Sequence, residues 1–164
     1  MEKRPENKPE KFPLAPDFTL ENQRHEAVRF SDILKNGPVL LVFYPGDFTP
    51  VCTSQLCNYR DSLESFQRFG VQLVGVSFNT PLQHKAFAEK YGFDFPLLSD
   101  PKKETAKLYG CTSLLMLGNV SRAVFIVSAD GRILYRYVEP TSLTRRKADE
   151  LLTILVGLKQ SGAI

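Results

Sequence analysis

The fold of this chain is set by residues 39–57, which read VLLVFYPGDFTPVCTSQLC. The first six residues form a continuous apolar run, which is typical of a central strand covered on both faces. Pro45 and Gly46 end that run. Thr49 can cap a helix, and Pro50 suits the first helical position because its missing N–H costs nothing there. The stretch therefore predicts a buried strand, a turn and the N-terminus of a helix.

The rest of the chain continues this alternation and predicts an α/β fold. Asp130-Gly131 marks a tight hairpin turn between two apolar runs. Thr80 and Pro81 should start a helix that Gly92 ends. Further strands are predicted at residues 71–78, 123–127 and 133–138, with a short antiparallel pair near 18–20 and 27–30. Helices are predicted from residue 50 to about 66, at residues 81–91 and at residues 143–158.

Length and composition describe one soluble globular domain preceded by a tail. The chain has 164 residues, of which 43% are hydrophobic and 24% charged. A chain of this size buries enough surface to fold without disulfide staples. The first residues are charged and carry Pro5 and Pro9, so they cannot bury much surface. We therefore expect a mobile tail over residues 1–12 and a single domain over residues 13–164.

Charge and cysteine content exclude several classes of protein. Twenty-one Lys and Arg against 18 Asp and Glu give a net charge of +3, and the basic residues are too scattered for a nucleic-acid surface. No apolar run approaches the ~18 residues of a membrane span, and the N-terminus carries no apolar signal peptide. Three cysteines are too few for a disulfide framework and suit a reducing compartment. These observations predict a cytosolic protein that binds neither nucleic acid nor membrane.

Cys52 is placed by this pattern in the first turn of the helix that follows Thr49. The unpaired N–H groups and the positive end of the helix dipole favour a thiolate there, and the thiolate is the nucleophilic form of cysteine. An ordinary thiol is only about 3% ionised at pH 7. Because a helix end supplies at most ~2 kcal/mol of stabilisation, a cationic partner is also needed, and we expect an arginine. Cys52 is therefore the candidate nucleophile.

Cys57 lies five positions after Cys52. In an ideal helix the two Cα atoms are about 8–9 Å apart, whereas a disulfide needs less than ~7 Å. The pair can bridge only if the first turns of the helix unwind, which would give a redox cycle with a conformational step. The alternative is that Cys57 is a packed core thiol. Cys111 is expected to be an inert thiol, with a second resolving role as its alternative.

The two histidines carry no predicted chemistry. His25 and His84 stand in polar stretches of sequence and are expected on the solvated surface. The chain has neither the Cys-x-x-Cys nor the His-x-x-x-His spacing of a zinc site. We therefore expect no metal site and no bound cofactor.

The stretch around Cys52 resembles the active-site motif of the peroxiredoxins, the thiol peroxidases of the alkyl hydroperoxide reductase and thiol-specific antioxidant family. The family pattern Pro-x-x-x-Thr/Ser-x-x-Cys is matched by Pro45, Thr49 and Cys52. Residues 121–127, which read SRAVFIV, resemble the strand that delivers the family's active-site arginine, here Arg122. The resemblance runs from about residue 18 to residue 158. It implies a thioredoxin-like fold, with a central mixed β-sheet flanked by helices and an N-terminal β-hairpin.

The resemblance also implies a role for each motif residue. The Cys52 thiolate would attack hydrogen peroxide or a small organic hydroperoxide and become a sulfenic acid. Arg122 would stabilise the thiolate and the charge that develops on oxygen. Thr49 would hydrogen-bond the peroxide, and Pro45 would shield the sulfur from water. Arg122 would then be the cation that the thiolate requires.

The spacing of Cys52 and Cys57 is most similar to that of the peroxiredoxin Q group, also called bacterioferritin comigratory proteins. In that group the second cysteine resolves the sulfenic acid within one subunit, and a thioredoxin-like dithiol reduces the disulfide. Gln55 stands where the group usually has Glu, so the network that orients Arg122 is expected to be neutral here. The resemblance leaves open the preferred peroxide, the physiological reductant and whether the protein is a monomer or a homodimer.

Three alternative functions remain at this point. A one-Cys peroxidase would have its sulfenic acid reduced by an external thiol. A thiol–disulfide oxidoreductase on the same fold would be expected to carry Cys-x-x-Cys, which residues 52–55 lack. A redox sensor or holdase would use the fold without peroxidase catalysis, because a fold does not fix a function.

Overall fold

The computed structural model describes residues 12–112 and 118–164. The strands are β1 (Thr19–Glu21), β2 (Ala27–Arg29), β3 (Val39–Phe43), β4 (Gln72–Ser77), β5 (Leu97–Ser99), β6 (Ala123–Val127) and β7 (Ile133–Val138). The helices are α1 (Phe30–Leu34), α2 (Pro50–Asp61), α3 (Leu63–Arg68), α4 (Pro81–Tyr91), α5 (Glu104–Leu108) and α6 (Ala148–Gln160). Within the two described ranges no helix has both the length and the apolar character of a membrane span. The predicted tail, residues 1–12, lies outside the described residues except for Phe12.

The strands form one mixed sheet in the order β2-β1-β5-β4-β3-β6-β7. β4 runs parallel to β3 and β5, whereas β6 pairs antiparallel with β3 and β7. β1 and β2 form an antiparallel hairpin at one edge. The predicted α/β fold, mixed sheet and N-terminal hairpin are therefore confirmed, and the Asp130-Gly131 turn connects β6 to β7 as expected.

β3 and β6 are buried along their whole length because hydrophobic layers cover both faces of the sheet. Side chains of a strand alternate between faces, so Leu40 packs into one hydrophobic core and Leu41 into the other. The first core includes Cys52 and residues of α2, α4 and α6. The second core includes Cys111. The apolar runs of β3 and β6 are thus those of central strands, as predicted.

The predicted helix starts are confirmed for α2 and α4. Thr49 is the N-cap of α2, and Thr80 opens α4 with a capping box. Gly92 ends α4 with a left-handed φ of 67°, which glycine adopts without a side-chain clash. The helix predicted to continue to residue 66 is instead broken, because Ser62 adopts φ −105° and ψ 7° and separates α2 from α3.

The predicted start of the last helix is wrong. α6 begins at Ala148 rather than at Leu143, and Leu143 is 77% exposed in a loop. Carbonyl groups of this loop accept hydrogen bonds from side chains elsewhere in the fold, so they do not take part in helical bonding. These carbonyls belong to Ser142, Thr144 and Arg146. The prediction from apolar spacing alone therefore made the helix too long at its N-terminal end.

The structure also contains α1, β5 and α5, which the sequence patterns did not predict. Each has only three to five residues, which is too few for a hydrophobic period to be recognised. β5 lies beside β4 in the sheet, and the carbonyl group of Leu98 in this strand belongs to a buried polar cluster.

Candidate active site

Cys52 lies where β3, a short loop and α2 meet. β3 ends at Phe43, and residues 45–49, which follow Tyr44, lead directly into α2, so Cys52 falls in the first turn of that helix. Its side chain is fully buried. Thr49 is the N-cap by position, but its hydroxyl donates to the Gly46 carbonyl at 3.0 Å and caps no backbone N–H. The first turn, which contains the sulfur, therefore has no side-chain cap.

Arg122 is brought to Cys52 by the pairing of β3 with β6. The two strands are antiparallel, and Phe43 at the end of β3 lies opposite Ala123 at the start of β6. The residue before β6 is therefore at the same edge of the sheet as the loop that leads to Cys52. Arg122 Nη1 donates to Cys52 Sγ at 2.9 Å, and Arg122 is only 2% exposed. The structure thus brings together the thiol and the arginine that the sequence suggested as a pair.

Neutral groups hold the rest of the guanidinium. Nη1 of Arg122 also donates to Gln55 Oε1 (3.1 Å), Nη2 donates to the Ser142 carbonyl (3.1 Å), and Nε donates to the Thr144 carbonyl (3.2 Å). Among the bonds from Arg122 to described residues, only the one to sulfur reaches a group that can ionise. A buried cation is costly unless an anion compensates it. Within the described residues, the Cys52 sulfur is therefore the one partner of Arg122 that could supply a compensating negative charge.

Gln55 connects Arg122 to a tyrosine. Its amide nitrogen donates to the Tyr59 hydroxyl at 2.9 Å, and that hydroxyl donates to the Arg146 carbonyl at 2.6 Å. Burial raises the pKa of Tyr59, so the hydroxyl keeps its proton and remains a donor. Gln55 thus lies between Arg122 and Tyr59. Sequence reasoning missed Tyr59, although its spacing of four residues from Gln55 places both on one helix face.

The loop before α6 supplies the backbone acceptors that hold Arg122. It supplies the carbonyls of Ser142 and Thr144, and it is itself held by Glu139, which accepts a hydrogen bond from the Thr144 hydroxyl at 2.8 Å. Glu139 is only 7% exposed, and its backbone N–H donates to the Arg122 carbonyl at 2.8 Å. The sequence did not indicate this loop as part of the site, because a backbone carbonyl accepts a hydrogen bond whatever side chain its residue carries.

Pro45 and Thr49 lie at the two ends of the loop between β3 and α2. Pro45 is half-buried two residues after the end of β3, whereas Thr49 is exposed directly before α2. Phe48 between them is 46% exposed and has a φ of 62°, a left-handed value that residues with side chains rarely adopt. Of the Pro45, Thr49 and Cys52 motif, Thr49 is therefore the most exposed residue.

A second buried polar cluster anchors this loop. The Tyr44 hydroxyl donates to Asp47 Oδ1 at 2.6 Å, and Asp47 Oδ2 lies 2.6 Å from Nδ1 of His84. Nε2 of His84 donates to the Leu98 carbonyl at 3.1 Å. The predicted surface position of His84 is therefore wrong, since the ring is fully buried and both its nitrogens have partners. His25 is exposed, as predicted.

Cys57 and Cys111 lie in different surroundings. Cys57 is half-buried in α2, which runs without interruption from Pro50 to Asp61, and all three cysteines are free thiols. Cys111 is fully buried in the second core, and burial raises its pKa to about 12. A thiol with so high a pKa is a poor nucleophile at neutral pH. Of the two, the structure places Cys57 on the same helix as Cys52.

Comparisons with known proteins show which proteins this chain resembles in sequence and in fold. The model of the AhpC/TSA family matches residues 13–136. The chloroplastic peroxiredoxin Q of Triticum aestivum is 39% identical over 124 residues, covering 76% of this chain and 57% of that protein. The chloroplastic peroxiredoxin Q of Sedum lineare is 38% identical over 144 residues, covering 88% of this chain and 76% of that protein. The crystal structure of peroxidoxin BcpB from Mycobacterium tuberculosis matches with a TM-score of 0.81 and 33% identity, covering 90% of this chain and 96% of that one.

The two plant relatives contradict the predicted cytosolic location, because both are chloroplastic. That prediction relied on the lack of an apolar signal peptide and on the cysteine content. Segments that direct proteins to plastids are amphipathic and rich in Arg and Ser rather than apolar. A low cysteine count likewise does not distinguish one reducing compartment from another. The prediction of a cytosolic location is therefore wrong.

Proposed function

The chain belongs to the AhpC/TSA family, and we propose that it acts as a thiol-dependent peroxidase with Cys52 as its nucleophile. The observation that carries this proposal is the 2.9 Å hydrogen bond from Arg122 to Cys52 in a buried site. A cation beside a buried thiol stabilises the thiolate, which is the form that attacks an O–O bond. The peroxiredoxin Q and peroxidoxin relatives support the same activity.

In the first step the Cys52 thiolate attacks the terminal oxygen of a hydroperoxide, R–O–O–H. A sulfur–oxygen bond forms and the O–O bond breaks, so sulfur is oxidised to the sulfenic acid. The leaving RO⁻ takes a proton from water and departs as an alcohol, or as water when R is hydrogen. Negative charge moves from sulfur to oxygen during this step. Arg122 is placed to stabilise that charge, and a preorganised donor of this kind contributes about 3–4 kcal/mol.

We assign Thr49 and Pro45 to the peroxide pocket. The Thr49 hydroxyl uses its hydrogen on the Gly46 carbonyl, so its oxygen can accept a hydrogen bond from the peroxide O–H. Pro45 has no N–H that could hold a water molecule near the sulfur. The two residues would thus orient the peroxide and keep the sulfur dry.

For Cys57 we propose the resolving role. Its thiolate attacks the sulfur of the Cys52 sulfenic acid, a disulfide forms, and the released hydroxide takes up the proton that Cys57 lost and leaves as water. Because about 8–9 Å separates Cα atoms five residues apart in an intact helix, α2 must open in this step. A thioredoxin-like dithiol then supplies two electrons and two protons, which restore both thiols.

One observation favours a second candidate, a one-Cys peroxidase. α2 is intact around Cys57, and that thiol packs against the first hydrophobic core, so opening the helix sacrifices packing. In the one-Cys case an external thiol would reduce the Cys52 sulfenic acid directly. The two candidates share the first step and differ only in the fate of Cys57.

The test combines peroxide consumption in the presence of a thioredoxin system with mass spectrometry after one equivalent of peroxide. Cys52→Ser should abolish consumption, and consumption that is undiminished would remove the peroxidase proposal. Cys57→Ser should stop thioredoxin-dependent turnover after one round of oxidation. Cys111→Ala is the matched control, since that thiol lies in the other core, and it should turn over like the wild type. A Cys52–Cys57 disulfide supports the resolving role, whereas a persistent sulfenic acid with Cys57 reduced supports the one-Cys candidate.

We also propose that residues 13–164 form a single domain. The family match begins at residue 13, and the first core joins side chains of the central strands to those of α6. Limited proteolysis of the full chain is the direct test. The expected result is a resistant fragment that retains α6, and early loss of α6 would contradict the proposal.

A further inference from the structure

Tyr44, Asp47 and His84 form a buried cluster that the proposed chemistry does not use, and we call it the loop anchor. The Leu98 carbonyl can only accept a hydrogen bond, so Nε2 of His84 carries a hydrogen. The 2.6 Å contact between Nδ1 and Asp47 Oδ2 needs one further hydrogen between them. Burial and the nearby Asp47 raise the pKa of Tyr44, so its hydroxyl stays a donor. The Asp47–His84 pair is electrically neutral whichever atom holds the shared proton, which makes its burial tolerable.

The loop anchor ties the loop of residues 45–49 to the elements beside it. Asp47 belongs to the loop, His84 to α4, and Leu98 to β5. The backbone N–H of Asp47 also donates to Asn79 Oδ1 at 2.8 Å, just before α4. Both the backbone and the side chain of Asp47 are therefore fixed.

The residue after Asp47 is held in a strained conformation. Phe48 has a φ of 62°, and this left-handed region is unfavourable for a residue with a Cβ. Its ring packs against Phe87 of α4, with 4.9 Å between the ring centroids. Strain of this kind persists only when surrounding contacts impose it. Loss of the contacts at Asp47 should therefore let the loop relax.

We propose that the loop anchor holds residues 45–49 in the conformation that presents Cys52 to peroxide, and that it opposes the opening of α2 that a disulfide with Cys57 needs. This inference rests on the proposed function. The two chemical steps make opposite demands on the loop, since attack on peroxide needs it closed and disulfide formation needs it open. A weakened loop anchor should therefore slow the first step and accelerate the second.

The chain offers matched variants for this test. Asp47→Ala removes the loop anchor. In Asp47→Asn the amide nitrogen can donate to Nδ1 of a neutral His84, and the amide oxygen can accept from Tyr44, so the hydrogen bonds survive without the carboxylate. Tyr44→Phe removes only the hydroxyl that contacts Asp47 and His84, and it serves if Asp47→Ala fails to fold. Tyr109→Phe is the control, because it removes a buried hydroxyl that bonds the Pro16 carbonyl in the second core.

Rapid mixing of the reduced protein with hydrogen peroxide separates the two steps, because only sulfenic acid formation depends on peroxide concentration. For Asp47→Ala we expect sulfenic acid formation to be at least tenfold slower and disulfide formation at least threefold faster. Tyr44→Phe should show smaller changes in the same directions. In Asp47→Asn both rate constants should return most of the way to their wild-type values. Tyr109→Phe should leave both rate constants within twofold of the wild type.

Amide hydrogen exchange of residues 51–56 gives a readout that does not depend on peroxidase activity. Exchange there should be at least tenfold faster in Asp47→Ala than in the wild type, and near the wild-type rate in Asp47→Asn. Unchanged exchange in the Asp47→Ala and Tyr44→Phe variants, or two rate constants that fall together, would overturn the inference while the peroxidase function stands. A wild type that consumes no peroxide, but whose exchange still responds to Asp47→Ala, would instead remove the proposed function.

Discussion

The Arg122 guanidinium donates to the Cys52 sulfur at 2.9 Å although 70 residues separate the two in the sequence. The antiparallel register of β3 and β6 makes this contact, because it brings the end of one strand and the start of the other to one edge of the sheet. Two carbonyls of the loop before α6, those of Ser142 and Thr144, then fix the guanidinium. The cation of the site is thus positioned by four directed hydrogen bonds, so its shape should be as important as its charge.

Arg122→Lys should therefore fail although it keeps the positive charge. An ammonium group on a flexible chain cannot reproduce the planar fork that reaches sulfur, Gln55 and two carbonyls together. We expect the second-order rate constant for Cys52 oxidation by hydrogen peroxide to fall by about 10²–10³. Arg132→Lys, in the turn before β7, is the matched control and should change nothing. A loss of less than threefold in Arg122→Lys would show that charge alone suffices.

Gln55→Glu should make Cys52 less reactive. The new carboxylate would take the position of an oxygen that now lies 3.1 Å from Arg122 Nη1, so it would compete with the thiolate for the cation. A like charge nearby also disfavours the ionised sulfur directly. We expect the rate of Cys52 alkylation at pH 7 to fall about tenfold, which corresponds to about 1.4 kcal/mol. Tyr59→Phe disturbs Gln55 without adding charge and is the control. An equal or higher alkylation rate in Gln55→Glu contradicts this electrostatic account.

Thr144→Val should loosen the loop that holds Arg122. The change removes the 2.8 Å hydrogen bond to Glu139, and a buried carboxylate left without its partner costs about 1–3 kcal/mol. Urea denaturation should measure that loss of unfolding free energy, and peroxide consumption should slow in parallel. Thr144→Ser keeps the hydroxyl and should recover both properties. Equal behaviour of the Val and Ser variants would mean that this hydroxyl does not support the site.

The raised pKa of Cys111 predicts a loss of stability in alkali. Its ordinary value is 9.0, and burial raises it to about 12. Between these values the unfolded chain releases the proton and the folded protein keeps it, so the free energy of unfolding falls as pH rises. The contribution of the Cys111 thiol to the free energy of unfolding is fully present below pH 9. Above pH 9 this contribution falls by at most about 1.4 kcal/mol per pH unit.

Denaturation at pH 8, 9 and 10 measures this decline. The free energy of unfolding should fall less steeply with pH in Cys111→Ala than in the wild type over this range, because the variant has no thiol at position 111 that the unfolded chain could ionise. Burial also raises the pKa values of Tyr44, Tyr59 and Tyr109, but both proteins carry these tyrosines, so the difference between the two slopes reports Cys111. Identical slopes for the wild type and the variant would contradict the raised pKa.

The parts of this structure that could be predicted from sequence are those encoded by regular patterns. The apolar run of β3 and the Thr49-Pro50 helix start are local signals, and both are present in the structure. The partnership of Cys52 and Arg122 came from a family resemblance and from the need for a cation, because no local pattern connects residues so far apart. Its geometry became visible only through the register of the two strands.

The errors have physical causes of the same kind. His84 looked solvated because its neighbours in sequence are polar, whereas its true partner, Asp47, is 37 residues away. The loop before α6 was predicted to be helical because apolar side chains continue the helical spacing into it. Its carbonyls instead accept hydrogen bonds from Arg122 and Tyr59. Backbone hydrogen bonds to distant side chains leave no trace in a hydrophobic pattern.

The rate at which Cys52 alone reacts with peroxide shows whether the site activates this thiol. A protein that carries Cys57→Ser and Cys111→Ala together retains only that thiol, and its oxidation at pH 7 can be followed by rapid mixing with hydrogen peroxide. We expect a second-order rate constant at least about 10³ times that of free cysteine under the same conditions, since oriented donors each contribute about 10²–10³. A rate constant within tenfold of free cysteine would contradict activation of Cys52 by Arg122 and the start of α2.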